Sequence, residues 1–322
     1  MRPLISIVVV NSDGAADTLR CLESIFRNPP DAAARRLSAE EDMEVILVDN
    51  CSRDGCLEAV RCRFPRVVAL EAPERQGFAK NYNLGLRHAR GEHVLVLNND
   101  TLVPPGALSR LLAAMAANPS YGMAGPRLVG ASGAVQVDCA RPLPSLRSYL
   151  LDQLLLDQGL PLGRLWARWR SRRLERRPSG PVPCIGGACM LVRRAALEQA
   201  GPLDEDFVFY YEDVEWCHRL GRAGWLVGYV AESTITHLGD RSLSKVKIWA
   251  KRSEYRSAIR YFRLYHGLGI GGERLLRAAT GLSWLLRGVL FLLAEAYAGR
   301  ESHARPYLLL WQWLLRGDSQ EV

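Results

Sequence analysis

Residues 75–100 read RQGFAKNYNLGLRHARGEHVLVLNND, and this stretch decides the fold class. A helical pattern comes first, a glycine break follows, and residues 93–97 form a short apolar run of β-rich composition. Such a run is typical of a buried parallel strand, so Asn98, Asn99 and Asp100 should emerge together at its carboxyl end. Ligands bind at that end in open α/β sheets, and a divalent metal bridging a diphosphate keeps one or two protein carboxylates. A plain polar turn would explain the same three residues equally well.

The same alternation of helical segments and apolar runs precedes this stretch. Residues 5–10, 45–48 and 67–70 read as three further strands, and polar residues follow the first two. Strands that alternate with helices of about ten residues predict a parallel sheet with right-handed crossovers. Asp49 and Asp100 then lie at the same end of the sheet, as a single nucleotide site requires. We therefore predict an α/β fold with a mostly parallel, twisted sheet flanked by helices.

The net charge of +8 and the pI near 9.2 are unevenly distributed along the 322 residues. Seven arginines fall within residues 164–177, and many other basic residues follow Lys245. Charge concentrated in one loop and a tail indicates an anionic surface, such as phospholipid headgroups or a phosphate-bearing substrate. A solvated basic loop without a partner is an equally good explanation. No nucleic-acid partner is expected.

The cysteines and the first residues bear on the cellular compartment. None of the eight cysteines forms a Cys-x-x-Cys pair, and no zinc ligand set is apparent. The chain begins MRPLISIVVV, a strand pattern rather than that of a signal peptide. We therefore expect a reducing cytoplasm, at or near the inner face of the membrane. Residues 275–298 are apolar, but Arg277, Arg287 and Glu295 interrupt them, which favours an amphipathic helix on a membrane or on the domain over a span.

A second polar cluster, residues 203–218, reads LDEDFVFYYEDVEWCH and mixes acidic with aromatic residues. Aromatic walls around a carboxylate can stack a sugar ring and raise the carboxylate's pKa toward that of a general base. Glu212 and Asp213 fit the first turn of a helix, where the helix dipole favours acids. That dipole alone would also account for the pair.

Taken together, the motifs resemble family 2 glycosyltransferases with the GT-A fold, and particularly their rhamnosyltransferase-like branch. The resemblance covers residues 4–240 with the motifs in the expected order. It is carried by ISIVVVNSDG, EVILVDNCSRDG, QGFAKNYNLGLRHARGEHVLVLNNDT and GGACMLVRRAALEQAGPLDEDFVFYYEDVEWCHRLGRAGWLVGYVAESTITH. It implies a GT-A domain over residues 1–240 and a helical C-terminal region over residues 241–322.

On the donor side, the resemblance implies roles for particular residues. Asp100 would hold the Mg²⁺ or Mn²⁺ that bridges the donor diphosphate, and His237 matches a histidine that completes the metal shell in some relatives. A lone histidine at a strand end is also often structural. The residues implied in nucleotide-sugar binding are Asn11, Asp49, Asn81, Asn98 and Asn99.

On the acceptor side, Asp213 matches the general base that removes the proton of the acceptor hydroxyl, and Glu212 would help to position the acceptor. The resemblance implies inversion at the anomeric carbon. The Gln-x-x-Arg-Trp signature of processive relatives does not occur in the sequence, which favours transfer of a single sugar.

The function expected is therefore a metal-dependent, inverting glycosyltransferase of polysaccharide or cell-wall biosynthesis. The donor would be dTDP-rhamnose or a UDP-sugar, and the acceptor a glycan or lipid-linked hydroxyl. A catalytically inactive scaffold of the same fold at the membrane is the alternative, and a peripheral membrane contact and a homo-oligomer are both open. A dinucleotide-dependent oxidoreductase is disfavoured, because Gly-x-Gly-x-x-Gly does not follow the first strand.

Overall fold

A computed structural model describes residues 2–31, 42–155, 161–239, 247–298 and 304–316. The contacts within the chain divide it into two compact units. The first comprises residues 1–143, 170–208 and 212–239, and the second comprises residues 144–169, 209–211 and 240–322. The boundary that we predict near residue 240 falls in residues 240–246, outside the described residues.

The first unit is built on a nine-stranded sheet. Its strands are β1 (Ile5–Asn11), β2 (Met43–Asp49), β3 (Val68–Glu71), β4 (His93–Asn98), β5 (Thr101–Leu102), β6 (Tyr121–Val129), β7 (Gly180–Val182), β8 (Cys189–Arg193) and β9 (Leu226–His237).

The helices of the described residues are α1 (Ala15–Arg27), α2 (Cys56–Arg63), α3 (Phe78–His88), α4 (Ala107–Ala117), α5 (Leu146–Leu155), α6 (Pro161–Glu175), α7 (Arg194–Ala200), α8 (Glu212–Arg222), α9 (Lys247–His266), α10 (Ile270–Ala298) and α11 (Ala304–Arg316). The arginine-rich loop that the sequence suggests at residues 164–177 is largely the helix α6.

The strand order is β3-β2-β1-β4-β8-β6-β9-β5, with β7 pairing β9. The three longest ladders, β1–β2, β1–β4 and β6–β9, are parallel, whereas β8 runs antiparallel to both β4 and β6. The predicted α/β fold class is confirmed, and antiparallel pairing around β8 and β9 makes the sheet mixed.

Strand β1 sets the positions of the first polar tips. Its apolar side chains are buried between β2 and β4, as a central parallel strand requires. Asn11 pairs with Asp49 across the β1–β2 ladder, and Val10 pairs with Asn98 across the β1–β4 ladder. Three polar side chains therefore reach the same end of the sheet, as the alternation of strands and helices predicts.

The second unit is helical in its described residues. Helix α10 packs on α11 and α5, and α9 packs on α11. The rings of Tyr149 and Phe262 meet edge to face with centroids 5.6 Å apart. Among the described residues, Ile270–Leu293 is one segment whose length and composition would allow it to cross a bilayer.

Helix α3 approaches the sheet at a glycine. A Cβ atom on Gly85 would lie 2.3 Å from Cγ1 of Val8 on β1 and 3.3 Å from Cγ2 of Val48 on β2. Both valines are fully buried, so neither can move away without disturbing the packing of the central strands. Only glycine allows this helix to lie so close to β1.

We predict that Gly85→Ala lowers the free energy of unfolding by about 1–3 kcal/mol, because the added methyl group overpacks the helix–sheet interface. Chemical denaturation measures the change. The matched control is Gly221→Ala in α8, where a Cβ would meet nothing within 4 Å and where alanine should stabilise the helix by up to about 1 kcal/mol. Equal effects of the two substitutions would contradict the packing argument.

Candidate active site

The turn after β4 brings Asp100 next to His237 at the end of β9. Thr101 pairs with His237 in the antiparallel β5–β9 ladder, and the Leu238 N–H donates to the Asp100 carbonyl at 2.9 Å. The Asp100 Oδ1 and His237 Nε2 atoms are 3.3 Å apart, and both side chains are partly exposed. The structure therefore places side by side the two residues that the family resemblance assigns to the metal.

Gln136 orients the His237 ring. The Gln136 side-chain amide donates from Nε2 to the His237 carbonyl at 3.0 Å, and its Oε1 accepts a hydrogen bond from the Nδ1–H of the His237 ring at 2.8 Å. In the neutral ring Nε2 is then an acceptor, and it faces the Asp100 carboxylate. Two acceptors that face each other are typical of ligands that share a cation, and an outer partner on Nδ1 is typical of metal-binding histidines.

These residues fit a divalent cation that takes its remaining ligands from elsewhere. No group of three or more His, Cys, Asp and Glu side chains that could hold a metal occurs among the described residues. Asp100 and His237 would supply two ligands, which leaves the other positions for diphosphate oxygens and water.

Asn98 belongs to the same cluster. The buried Tyr82 hydroxyl donates to the Leu97 carbonyl at 2.9 Å and lies 3.3 Å from Asn98 Oδ1. This contact turns Asn98 Nδ2 toward His237 Nε2, 3.4 Å away. Burial, and then the nearby charge of Asp100, raises the pKa of Tyr82 well above its usual value, so the phenol stays a proton donor. Asn98, Asp100 and His237 thus form one polar group.

Asn11 and Asp49 are buried and bind each other. Asn11 Nδ2 donates to Asp49 Oδ1 at 2.8 Å, and the Ser52 N–H donates to Asp49 Oδ2 at 2.8 Å. Asn11 Oδ1 accepts from the Gly14 N–H at 3.1 Å. These bonds join the loops that follow β1 and β2, so the two side chains shape this end of the sheet.

Asn99 and Asn81 also bind the protein framework. Asn99 Nδ2 donates to the Thr18 hydroxyl at 2.9 Å, which directs the side chain toward α1. Asn81 Nδ2 donates to the Gln76 and Gly77 carbonyls at 3.1 and 2.9 Å and so holds the start of α3. Its buried Oδ1 has no hydrogen-bond partner among the described residues.

The acidic pair begins helix α8. Asp213 Oδ2 accepts from Arg141 Nη2 at 2.8 Å and from the Gly187 N–H at 3.0 Å, and its Oδ1 accepts from the Val214 N–H at 2.8 Å. An arginine and two backbone donors stabilise this side chain as a carboxylate.

Glu212 has a different environment. Its side chain is buried, and Oε2 has no hydrogen-bond partner among the described residues. Burial, and secondly the charge of Asp213, raises the pKa of Glu212 to about 8. At neutral pH Glu212 is therefore mainly protonated, whereas Asp213 accepts hydrogen bonds from an arginine and two backbone N–H groups.

Two backbone hydrogen bonds connect the acidic pair to the end of β4. The Asn98 N–H donates to the Ala188 carbonyl at 2.9 Å, and the adjacent Gly187 N–H donates to Asp213. The two acidic clusters, more than 100 residues apart in the chain, thus meet at one site.

Our sequence interpretation missed Gln136 and Arg141. Gln136 binds His237 beside Asp100, and Arg141 binds Asp213 of the acidic pair. They are five positions apart, so at most about 18 Å of chain separates their Cα atoms. Both residues lie outside the motifs that carry the family resemblance. Their side chains make contacts with β9 and α8, and no local pattern in a single sequence records such contacts.

We predict that Glu212→Gln stabilises the protein increasingly as pH rises from about 5 to 9. The folded-state pKa of Glu212 lies above its unfolded value, so the folded protein binds the extra proton and loses stability between the two pKa values. Glutamine cannot ionise, so the variant should gain about 1 kcal/mol or more at pH 9. Urea denaturation at several pH values measures this, with the exposed Glu58→Gln as control. A difference that does not change with pH would contradict the assignment.

Comparison with known proteins supplies the family. The family model described as "Glycosyl transferase family 2" matches residues 5–201. The N-acetylglucosaminyl-diphospho-decaprenol L-rhamnosyltransferase of Mycobacterium tuberculosis is 34% identical over 278 residues, which is 81% of this chain and 85% of that protein.

Two solved structures show the same fold. A mannosyltransferase from Pyrobaculum calidifontis in complex with GDP-Man and Mn²⁺ covers 98% of this chain and 86% of its own at 18% identity, with a TM-score of 0.52. GalNAc-T7 with UDP, GalNAc and Mn²⁺ covers 73% of this chain and 44% of its own at 15% identity, with a TM-score of 0.53. The predicted GT-A fold is confirmed, and the chain belongs to glycosyl transferase family 2, as a rhamnosyltransferase-like glycosyltransferase.

Proposed function

We propose that this glycosyltransferase moves a single L-rhamnose, with inversion and with the help of a divalent metal, from dTDP-rhamnose to a hydroxyl of a lipid-linked N-acetylglucosaminyl diphosphate. The similarity to the mycobacterial rhamnosyltransferase over 81% of this chain supports the donor sugar and the acceptor class. UDP-sugars are the alternative donors. The hydrogen-bonded link from Asn98 through Ala188 and Gly187 to Asp213 carries the proposal, since it connects the acidic pair to the strand end that carries the Asp100–His237 pair.

On the donor side, Asp100 and His237 would hold Mg²⁺ or Mn²⁺. A bound divalent cation neutralises charge that develops on a departing diphosphate. Gln136 keeps the Nε2 atom of His237 directed at Asp100, and Asn98 adds an amide donor to the same group. Asn11 and Asp49 hold the loops after β1 and β2, where the nucleotide would lie. Asn81 holds the segment just before α3, and Asn99 fastens the turn after β4 to α1.

On the acceptor side, Asp213 is the proposed general base. The acceptor hydroxyl has a pKa far above 7, so its oxygen attacks the anomeric carbon only as its proton leaves. The proton goes to the Asp213 carboxylate, and the bond from the anomeric carbon to the diphosphate oxygen breaks on the opposite face. Glu212, mainly protonated at neutral pH, can donate a hydrogen bond to the acceptor sugar. Arg141 holds the Asp213 side chain in place before the acceptor arrives.

We predict that Asp213→Asn lowers kcat by about 10²-fold or more, because asparagine cannot accept the proton, while the dissociation constant for the donor changes little. Transfer from radiolabelled dTDP-rhamnose to a lipid-linked acceptor measures the rate, and a panel of UDP-sugars tests the donor. The control is Asp206→Asn, an exposed acid of the same segment, which should keep wild-type turnover. Wild-type turnover in the Asp213 variant would refute the base assignment.

We also predict that Asp100→Ala weakens donor binding in the presence of Mn²⁺ by about tenfold or more, because the cation loses its carboxylate ligand. Titration calorimetry with and without Mn²⁺ separates the metal-dependent part of the binding. Glu58→Ala, which removes an exposed acid from α2, should bind the donor as the wild type does. Unchanged metal-dependent binding in the Asp100 variant would count against the metal site.

A further inference from the structure

Helix α10 presents a leucine stripe on its exposed side. The stripe residues are spaced at i, i+7, i+11 and i+18, so they share one line along the helix. They are Leu275, Leu282, Leu286 and Leu293, which are 63%, 52%, 50% and 63% exposed. At 1.5 Å per residue the leucine stripe is about 27 Å long. Val289 and Leu290 on the same side are also exposed, so the apolar surface is continuous.

Three polar residues in the middle of α10 are turned inward. Thr280, Ser283 and Arg287 are buried, and both the Ser283 hydroxyl and the Arg287 guanidinium donate to the Gln153 carbonyl on α5. Arg277 donates to the Leu314 carbonyl on α11. Two of the charges that interrupt the apolar run in the sequence are therefore paired inside the helical unit.

This arrangement is the reverse of that of a water-exposed helix, which buries its leucines and exposes its arginines. Helices that contact hydrocarbon direct polar groups inward and satisfy them with neighbouring backbone, because lipid offers no hydrogen bonds. An apolar strip of this length is larger than the scattered exposed leucines of ordinary surfaces. The leucine stripe thus has the polarity of a surface covered by an apolar partner.

The junction of α9 and α10 is basic. A cavity of about 420 Å³ at the junction is lined by Tyr255, Arg256, Ile259, Arg260, Arg263, Leu264 and Glu273. Three guanidinium groups face it with one carboxylate, and that carboxylate, Glu273, pairs with Arg263. Over its whole length α9 carries six basic residues and the single acid Glu254. The excess of positive charge lies at the end of α10 where the leucine stripe begins, two residues after Glu273.

We propose that the leucine stripe contacts the acyl chains of an anionic phospholipid bilayer, with the arginines of the α9–α10 junction at the level of the phosphate headgroups. A bilayer supplies both an apolar layer and a negative surface, which complements this pairing of leucines and arginines. A second copy of the chain fits less well, because this chain has a net charge of +8 and offers the junction arginines no excess of negative charge. The inference rests on the proposed function only in that a lipid-linked acceptor resides in such a bilayer.

The test is flotation of the full-length protein with vesicles. Wild-type protein should float with vesicles of phosphatidylglycerol and phosphatidylcholine, and its partition should fall by about tenfold or more on pure phosphatidylcholine or at high salt. Leu282→Asp combined with Leu286→Asp should reduce partition to the mixed vesicles by about tenfold or more. No flotation of the wild-type protein on mixed vesicles at low salt would overturn the proposal. Equal binding to neutral vesicles would overturn the headgroup role of the arginines.

A second, milder pair of substitutions tests the proposal in case the aspartate variant does not fold. Leu282→Gln with Leu286→Gln keeps helix propensity, and circular dichroism should show that this variant folds. The matched control is Leu226→Gln, a 45% exposed leucine of β9 in the first unit, which should float like the wild type. Loss of flotation in the control as well would contradict a specific role for the leucine stripe. A wild-type dimer without lipid that becomes monomeric in the paired glutamine variant would show that a second copy covers this face instead.

Activity separates this inference from the proposed function. The paired glutamine variant should transfer rhamnose to a short-chain, water-soluble acceptor at the wild-type rate, and several-fold more slowly to the same headgroup carried in vesicles. Absence of transfer to either acceptor by the wild-type protein would refute the proposed function and leave the flotation result standing. Equal rates of the variant and the wild type on vesicle-borne acceptor would overturn a role of the leucine stripe in substrate access.

Discussion

The antiparallel pairing of β8 with β4 determines where the first turn of α8 lies relative to the polar end of β4. Leu97 pairs with Cys189, and the last strand bond, from the Asn98 N–H, goes to the Ala188 carbonyl. Gly187 is then held at the tip of β4, where its N–H binds Asp213. Without this ladder nothing would bring the first turn of α8 to the turn that carries Asp100, because the two segments are far apart along the chain.

Electrostatic interactions then give the adjacent carboxyl groups of Glu212 and Asp213 different environments. Two buried carboxylates side by side repel each other, and water is not there to screen them. The structure resolves this by giving Asp213 an arginine and two backbone donors, while Glu212 stays in an unsatisfied, buried position that favours its protonated form. The asymmetry follows from the neighbours rather than from the residue types, since aspartate and glutamate have similar intrinsic pKa values. This difference between the two acids is what the proposed roles of Asp213 as base and Glu212 as hydrogen-bond donor require.

The second unit distributes its polar and apolar residues differently from the first. In the sheet unit, the apolar strands are buried and polar residues lie at the carboxyl ends of the strands, as in a protein surrounded by water. In α10, leucines are outside, and Arg277 and Arg287 bind carbonyl groups within the helical unit. A chain that combines both rules suits an enzyme with a soluble donor and a membrane-borne acceptor. Binding to the membrane raises the local concentration of such an acceptor without any contact in the active site.

The amino-acid sequence by itself determined strands β1 to β4, the polar residues that follow β1, β2 and β4, and the family. Buried parallel strands leave a local signature of continuous β-branched runs, and the motifs around Asp49, Asp100 and Asp213 occur in a recognisable order. Tertiary structure alone decided that Gln136 orients His237, that Arg141 pairs with Asp213, and that Asn11 and Asp49 bind each other in the interior. It also decided that the arginines of α10 turn inward. These outcomes depend on which side chains meet across long stretches of chain, and hydrophobic periodicity reports only how each residue faces its own helix or strand.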